Sequence, residues 1–103
     1  MLKAKALITF TLQGKDYDAH DRFDVAFRFD KELLFSGRIR SKNSEYINGK
    51  EYEVDISFFT IDTDENYNKI KHLLKPDSLF SMCAGSRIIG MANMLDFKYK
   101  KDR

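Results

Sequence analysis

The chain alternates between apolar and polar residues over most of its length, the two-residue period of half-buried strands. Leu2, Ala4, Ala6, Ile8, Phe10 and Leu12 share one parity, with Lys3, Lys5, Thr9 and Thr11 on the other, which predicts a strand over 2–12. Residues 22–30 repeat the pattern with Phe23, Val25, Phe27 and Phe29 against Asp24, Ala26, Arg28 and Asp30. A third strand is expected over 33–42, with Leu33, Phe35, Gly37 and Ile39 inward and Ser36, Arg38, Arg40 and Lys42 outward. After a turn at Asn43–Lys50 containing Asn48-Gly49, a fourth runs over 51–61. Its apolar face is Tyr52, Val54, Ile56 and Phe58, and the change of parity at Phe59 and Ile61 suggests a bulge, or a strand that passes from one sheet face to another.

The period changes to three and four at Tyr67, Ile70, Leu73 and Leu74, which predicts one helix over 64–74. Asp62 or Thr63 can cap it, Glu65 suits its N-terminal dipole, Lys71 and His72 its C-terminal end, and Pro76 stops it. A closing hairpin follows: Leu79–Cys83, a turn at Ala84-Gly85-Ser86, and a long strand Arg87–Tyr99. On that strand Ile89, Met91, Leu95, Phe97 and Tyr99 share a face, and Gly90 and Ala92 leave room on the other.

These elements give an all-β domain over 1–103 with one short helix, a six-stranded antiparallel β-barrel whose closure hides the edges of its aromatic strands. The expected core is Ile8, Phe10, Phe27, Phe29, Val54, Ile56, Phe58, Leu73, Ile89 and Phe97. The 103 residues suit one domain and are too few for two. Hydrophobic residues make up 43 %, enough for a core and above the disordered range.

A net charge of +2 does not by itself argue for nucleic acid. One cysteine, Cys83, cannot form an intramolecular disulfide or a structural zinc site unaided, which fits a reducing compartment. With no leader-like apolar run and no segment of spanning length, the expectation is a cytoplasmic protein away from membranes.

The segment Pro76-Asp77-Ser78-Leu79-Phe80-Ser81-Met82-Cys83-Ala84-Gly85-Ser86-Arg87-Ile88-Ile89-Gly90 resembles the closing hairpin of the C-terminal β-barrel domain of bacterial elongation factor Tu. In that family an apolar strand ends in a Gly-Gly-Arg turn followed by a Val-Gly strand. Gly85, Arg87 and Gly90 fall at the corresponding places, and Ser86 stands where the second Gly would be. Gly49–Ile56 resembles another strand entry of that domain, and Ala4–Phe10 its first strand. The resemblance implies a barrel fold. The family segment that lies near the transfer-RNA stem has no counterpart between Gly14 and Phe29, and the chain has no phosphate-binding Gly-x-x-x-x-Gly-Lys-Ser/Thr loop.

Candidate chemistry is sparse. Asp16, Asp18, His20 and Asp21 in the 13–21 loop carry oxygen and nitrogen ligands, but they lack the glycine and distal glutamate of a calcium loop. A solvated polar loop is the simpler reading. Cys83 has no local nucleophile signature with His20 or His72 and reads as a buried, inert thiol. Arg38, Arg40 and Lys42 form a basic stripe able to meet phosphates. A tight third–fourth hairpin would neutralise it by setting them opposite Asp55, Glu53 and Glu51. Tyr17, Tyr46 and Tyr67 lie near loops or a helix start, where tyrosine favours interfaces, while a helix face with Tyr67 and Ile70 is more often core.

These readings lead to a non-enzymatic binding or accessory protein, of an immunity-type or translation-associated kind, with no cofactor and no metal. Its partner is expected to be a protein, held by Tyr17, His20 and Arg87. A module binding transfer RNA is the second reading.

Overall fold

The computed structural model describes residues 1–11, 17–18, 22–30, 33–41, 45–75, 77–84 and 87–100. Its strands are β1 (Leu2–Phe10), β2 (Tyr17–Asp18), β3 (Arg22–Asp30), β4 (Leu33–Arg40), β5 (Glu45–Tyr46), β6 (Glu51–Phe58), β7 (Leu79–Ala84) and β8 (Arg87–Tyr99). Helix α1 (Asp64–Ile70) runs into a 3-10 turn at Lys71–Leu73. Six strands close an antiparallel barrel in the order β1-β6-β4-β3-β7-β8, and β2 and β5 form a separate two-stranded sheet.

The alternation that builds each strand also fills the barrel. Leu2, Ala4, Ala6, Ile8 and Phe10 of β1 are buried together with Val25, Phe27 and Phe29 of β3 and Tyr52, Val54, Ile56 and Phe58 of β6. Aromatic rings pack edge-on or tilted, the arrangement their quadrupoles favour. Phe27 and Phe29 meet Phe58 at 5.2 and 5.4 Å, and Phe29 meets Phe80 at 4.7 Å. The expected core residues are buried except Leu73 and Phe97, which are half-buried against its rim. Leu73 lies in the 3-10 turn, beyond the inward face of the α-helix, and Phe97 lies past a bulge in β8.

Thr63 caps α1, its hydroxyl accepting from the Asn66 N–H at 3.3 Å. The α-helix ends at Ile70, so the helix expected over 64–74 is two elements. Ile70 is fully buried; Tyr67, Leu73 and Leu74 pack partly against the core. Asp77 stands at φ 67, a left-handed conformation that aspartate tolerates, and Ser78 N–H donates to Lys75 O at 3.0 Å. The Asp77 N–H donates to Met94 O at 2.8 Å and ties Asp77 to β8.

Three strand readings are corrected. Strand β1 ends at Phe10, β4 at Arg40 and β6 at Phe58, each short of its expected end, and Leu12 and Lys42 lie outside the described residues. The parity change at Phe59 is a turn and not a bulge: Ile61 N–H donates back to Phe58 O, which returns Ile61 to the core while its own carbonyl accepts from Leu2 N–H.

The faces of β8 are the second correction. Irregularities interrupt its register between Met82/Cys83 on β7 and Lys5/Ala6 on β1. Each bulge adds a residue to β8 and exchanges its faces. Between the bulges Gly90, Ala92 and Met94 point inward, and Met91 lies on the opposite face.

The third is the pairing of β4 with β6. Arg38 lies opposite Ser57 and Arg40 opposite Asp55, two residues from the expected register. The cause lies in the connection, which is not a tight hairpin. Tyr46 is drawn into the core and Gly49 N–H donates to Phe10 O at 2.9 Å, so the segment is spent on a second sheet. The Asn48-Gly49 turn itself stands, with Gly49 at φ 82, where a Cβ would be strained.

Candidate functional site

One end of the barrel carries two of the three residues expected to meet a partner. Arg87 opens β8 opposite Ala84 and is exposed. The backbone of Tyr17 pairs with Tyr46 across the small β2–β5 sheet. Tyr46 is buried, its ring 5.2 Å from Phe10 and 4.8 Å from Tyr52, and the Tyr52 hydroxyl accepts from Ile47 N–H at 2.9 Å. Phe10 in turn pairs with Gly90, three residues from Arg87. The topology thus brings Tyr17 and Arg87 to the same end. His20 and the rest of the Asp16–Asp21 loop, apart from Tyr17 and Asp18, lie outside the described residues, as do Gly85 and Ser86.

Two residues that sequence reasoning passed over join this end. Ile88 is 54 % exposed and Ile47 is 49 % exposed. An apolar side chain next to Arg87 is an ordinary strand residue in the sequence. Only the bulge beside it, which buries Ile89, shows that Ile88 is left in solvent.

The tyrosines divide. Tyr46 is a core residue, which corrects its reading as a surface aromatic, because β5 folds it between Phe10 and Tyr52. Tyr67 is half-buried and stacks on Tyr99. Cys83 is buried, as expected of an inert thiol, whereas His72 is exposed on the 3-10 turn. Among the described residues no group of three or more His, Cys, Asp and Glu side chains could hold a metal ion.

The basic stripe is not neutralised in the way the hairpin register implied. Arg38 turns to β3, where its guanidinium donates to both carboxylate oxygens of Asp24 at 2.8 and 3.3 Å. That hydrogen bond, with the Asp24 charge, raises the Arg38 pKa above its usual value. The guanidinium also lies 5.5 Å from the centre of the Phe59 ring. Across the outer face the row continues from Arg38 through Ser57 and Lys3 to Lys98, on four adjacent strands. The neighbouring row, Arg40, Asp55, Lys5 and Asp96, alternates in sign. A groove of about 550 Å³ runs along the first row, lined among others by Lys3, Arg38, Arg40, Phe59, Lys98 and Lys100.

No helix among the described residues is long and apolar enough to cross a membrane. No protein-family model matches the chain, and no curated protein matches it.

Proposed function

We propose that the chain is a non-catalytic binding domain that takes a protein partner at the end of the barrel carrying Tyr17 and Arg87. The observation that supports this most is the exposure of Ile88 and Ile47 at the end where Arg87 also stands in solvent. An exposed arginine followed in the strand by an uncovered isoleucine suits an interface, since arginine is over-represented among the residues that carry binding energy.

The closed six-stranded barrel and the β7–β8 hairpin, with Arg87 at the strand start and Gly90 buried within it, support reading the domain as a relative of the C-terminal barrel of elongation factor Tu. On that reading the chain is a cytoplasmic accessory protein of the translation-associated or immunity type.

The test is capture of proteins on the immobilised chain, repeated with Arg87→Ala and Ile88→Asp. A partner retained by the parent chain and lost from both variants, at unchanged melting temperature, is the expected result. Equal retention by all three chains would remove this surface from the interface. Retention of RNA in place of protein, weakening steeply with salt, would favour the transfer-RNA reading.

A further inference from the structure

The groove at the far end of β8 is a second place where the surface is built for a ligand. From the sequence of pairings, Arg87 stands at one end of the 13-residue strand and Lys98 near the other. At roughly 3.3 Å per residue the two are about 35 Å apart along it, so the groove is separate from the partner surface proposed above.

We propose that this groove binds a compact phosphorylated small molecule, of the nucleoside di- or triphosphate class, with its phosphates on Lys3, Arg40, Lys98 and Lys100. The charge distribution supports it first. Among the described residues, Arg38 is the groove cation held in an ion pair, with Asp24; Lys3, Arg40, Lys98 and Lys100 form none. Lys3 and Lys98 face each other directly across β1 and β8 with no acid between them. Like charges set opposite each other across strands are destabilising, and a bound polyanion removes that cost. A single carboxylate would answer only one of these cations. A phosphate chain brings several charges and many acceptor oxygens within a few ångströms.

Size and surroundings select a small ligand over a long one. At about 550 Å³ the groove is on the scale of small-molecule sites. Four strands at about 4.8 Å spacing make the basic row only about 14 Å wide. The next row places Asp55 and Asp96 beside it, and these carboxylates repel an extended polyanion that runs past the groove.

Phe59 adds the second half of the recognition. It is 38 % exposed, lines the groove, and is steadied by the Arg38 guanidinium, itself fixed by Asp24. The part of that ring left in solvent, at the end of a phosphate-binding row, is a stacking surface for a base. The ion pair that removes Arg38 from phosphate binding thereby positions the ring.

The experiment is titration calorimetry of the full chain at physiological salt with three probes: inorganic tripolyphosphate, ATP and a 12-nucleotide single-stranded RNA. Expected are saturable binding of ATP and weaker binding of tripolyphosphate. The Lys3→Glu/Lys98→Glu variant should lower both affinities about tenfold or more, the scale of lost charge-assisted contacts. Phe59→Ala should weaken ATP alone. Lys71→Ala, on the exposed 3-10 turn, should change neither, and thermal melts confirm that the variants are folded. Binding of the RNA without either small probe would overturn the proposal in favour of a nucleic-acid surface. So would the absence of binding by all three, or binding that the Lys3/Lys98 variant leaves intact.

Discussion

Tyr67 of α1 and Tyr99 of β8 stack face to face, with ring centroids 4.1 Å apart and planes within 6° of parallel. The Tyr99 hydroxyl also donates to an Asp64 carboxylate oxygen at 3.2 Å, so one strand residue holds the helix at two points. With Ile70 buried beneath, this is how a seven-residue helix, too short to persist alone, is kept in place. A double-mutant cycle over Tyr67→Ala and Tyr99→Ala should return a coupling of about 0.5–1.5 kcal/mol, the usual excess of an aromatic pair over area burial. Additive effects would mean that the stacked rings contribute nothing beyond their separate burial.

Phe27 is fully buried and its ring sits edge-on to Phe58. Truncation to alanine leaves a cavity that β3, hydrogen-bonded on both sides, cannot collapse to fill. The expected loss is about 3–5 kcal/mol, read as a fall in the denaturation midpoint. A melt unchanged by Phe27→Ala would contradict the packing.

Gly90 leaves no room for a side chain between β8 and β1. A Cβ there would meet the backbone carbonyl of Thr9 and lie 2.7 Å from the Met82 methyl. The methionine can move and the carbonyl cannot, so Gly90→Ala should destabilise by about 1–3 kcal/mol through overpacking. At Gly37 the nearest atoms belong to side chains, Phe27 and Ile56, at 2.7 and 2.9 Å. Both variants can be ranked in one chemical-denaturation series, with Gly90→Ala expected to be the worse.

The Arg38–Asp24 pair is solvent-exposed, and its coupling should be small and screened by salt. A cycle over Arg38→Gln and Asp24→Asn should show coupling at low salt that fades toward 1 M, where the Debye length is about 3 Å. The same cycle on Arg40 and Glu53 should give less, since Arg40 lies across from Asp55. The reverse order would restore the tight-hairpin register.

At the Arg87 end, Ile88→Asp should leave the melting temperature nearly unchanged and abolish partner capture. The residue is more than half exposed, so its replacement costs the fold little. A large drop in melting temperature would show instead that Ile88 serves the barrel.

Period-two alternation determined which residues of β1, β3 and β6 face inward, because a strand offers each side chain only two directions and one of them is the core. The same local rules carried the Thr63 cap, the Gly49 turn and the all-β class with one helix. What local rules cannot carry is the pairing between strands. The expected hairpin set Arg40 against Glu53 on the assumption that the 41–50 segment only turns. The fold instead spends that segment on burying Tyr46 against Phe10, a contact between residues 36 apart that no local pattern records. The bulges in β8 belong to the same kind of fact. They arise where a 13-residue strand must pair with β7 on one side and β1 on the other while the barrel closes, and they decide that Ile88 is exposed and Met94 buried. Tyr17 and Arg87 could be named from residue type. Of the groove only the Arg38 and Arg40 stripe could, because Lys3, Phe59 and Lys98 come from distant parts of the chain, and only closure of the barrel between β1 and β8 sets Lys3 and Lys98 in line with Arg38 and near Phe59.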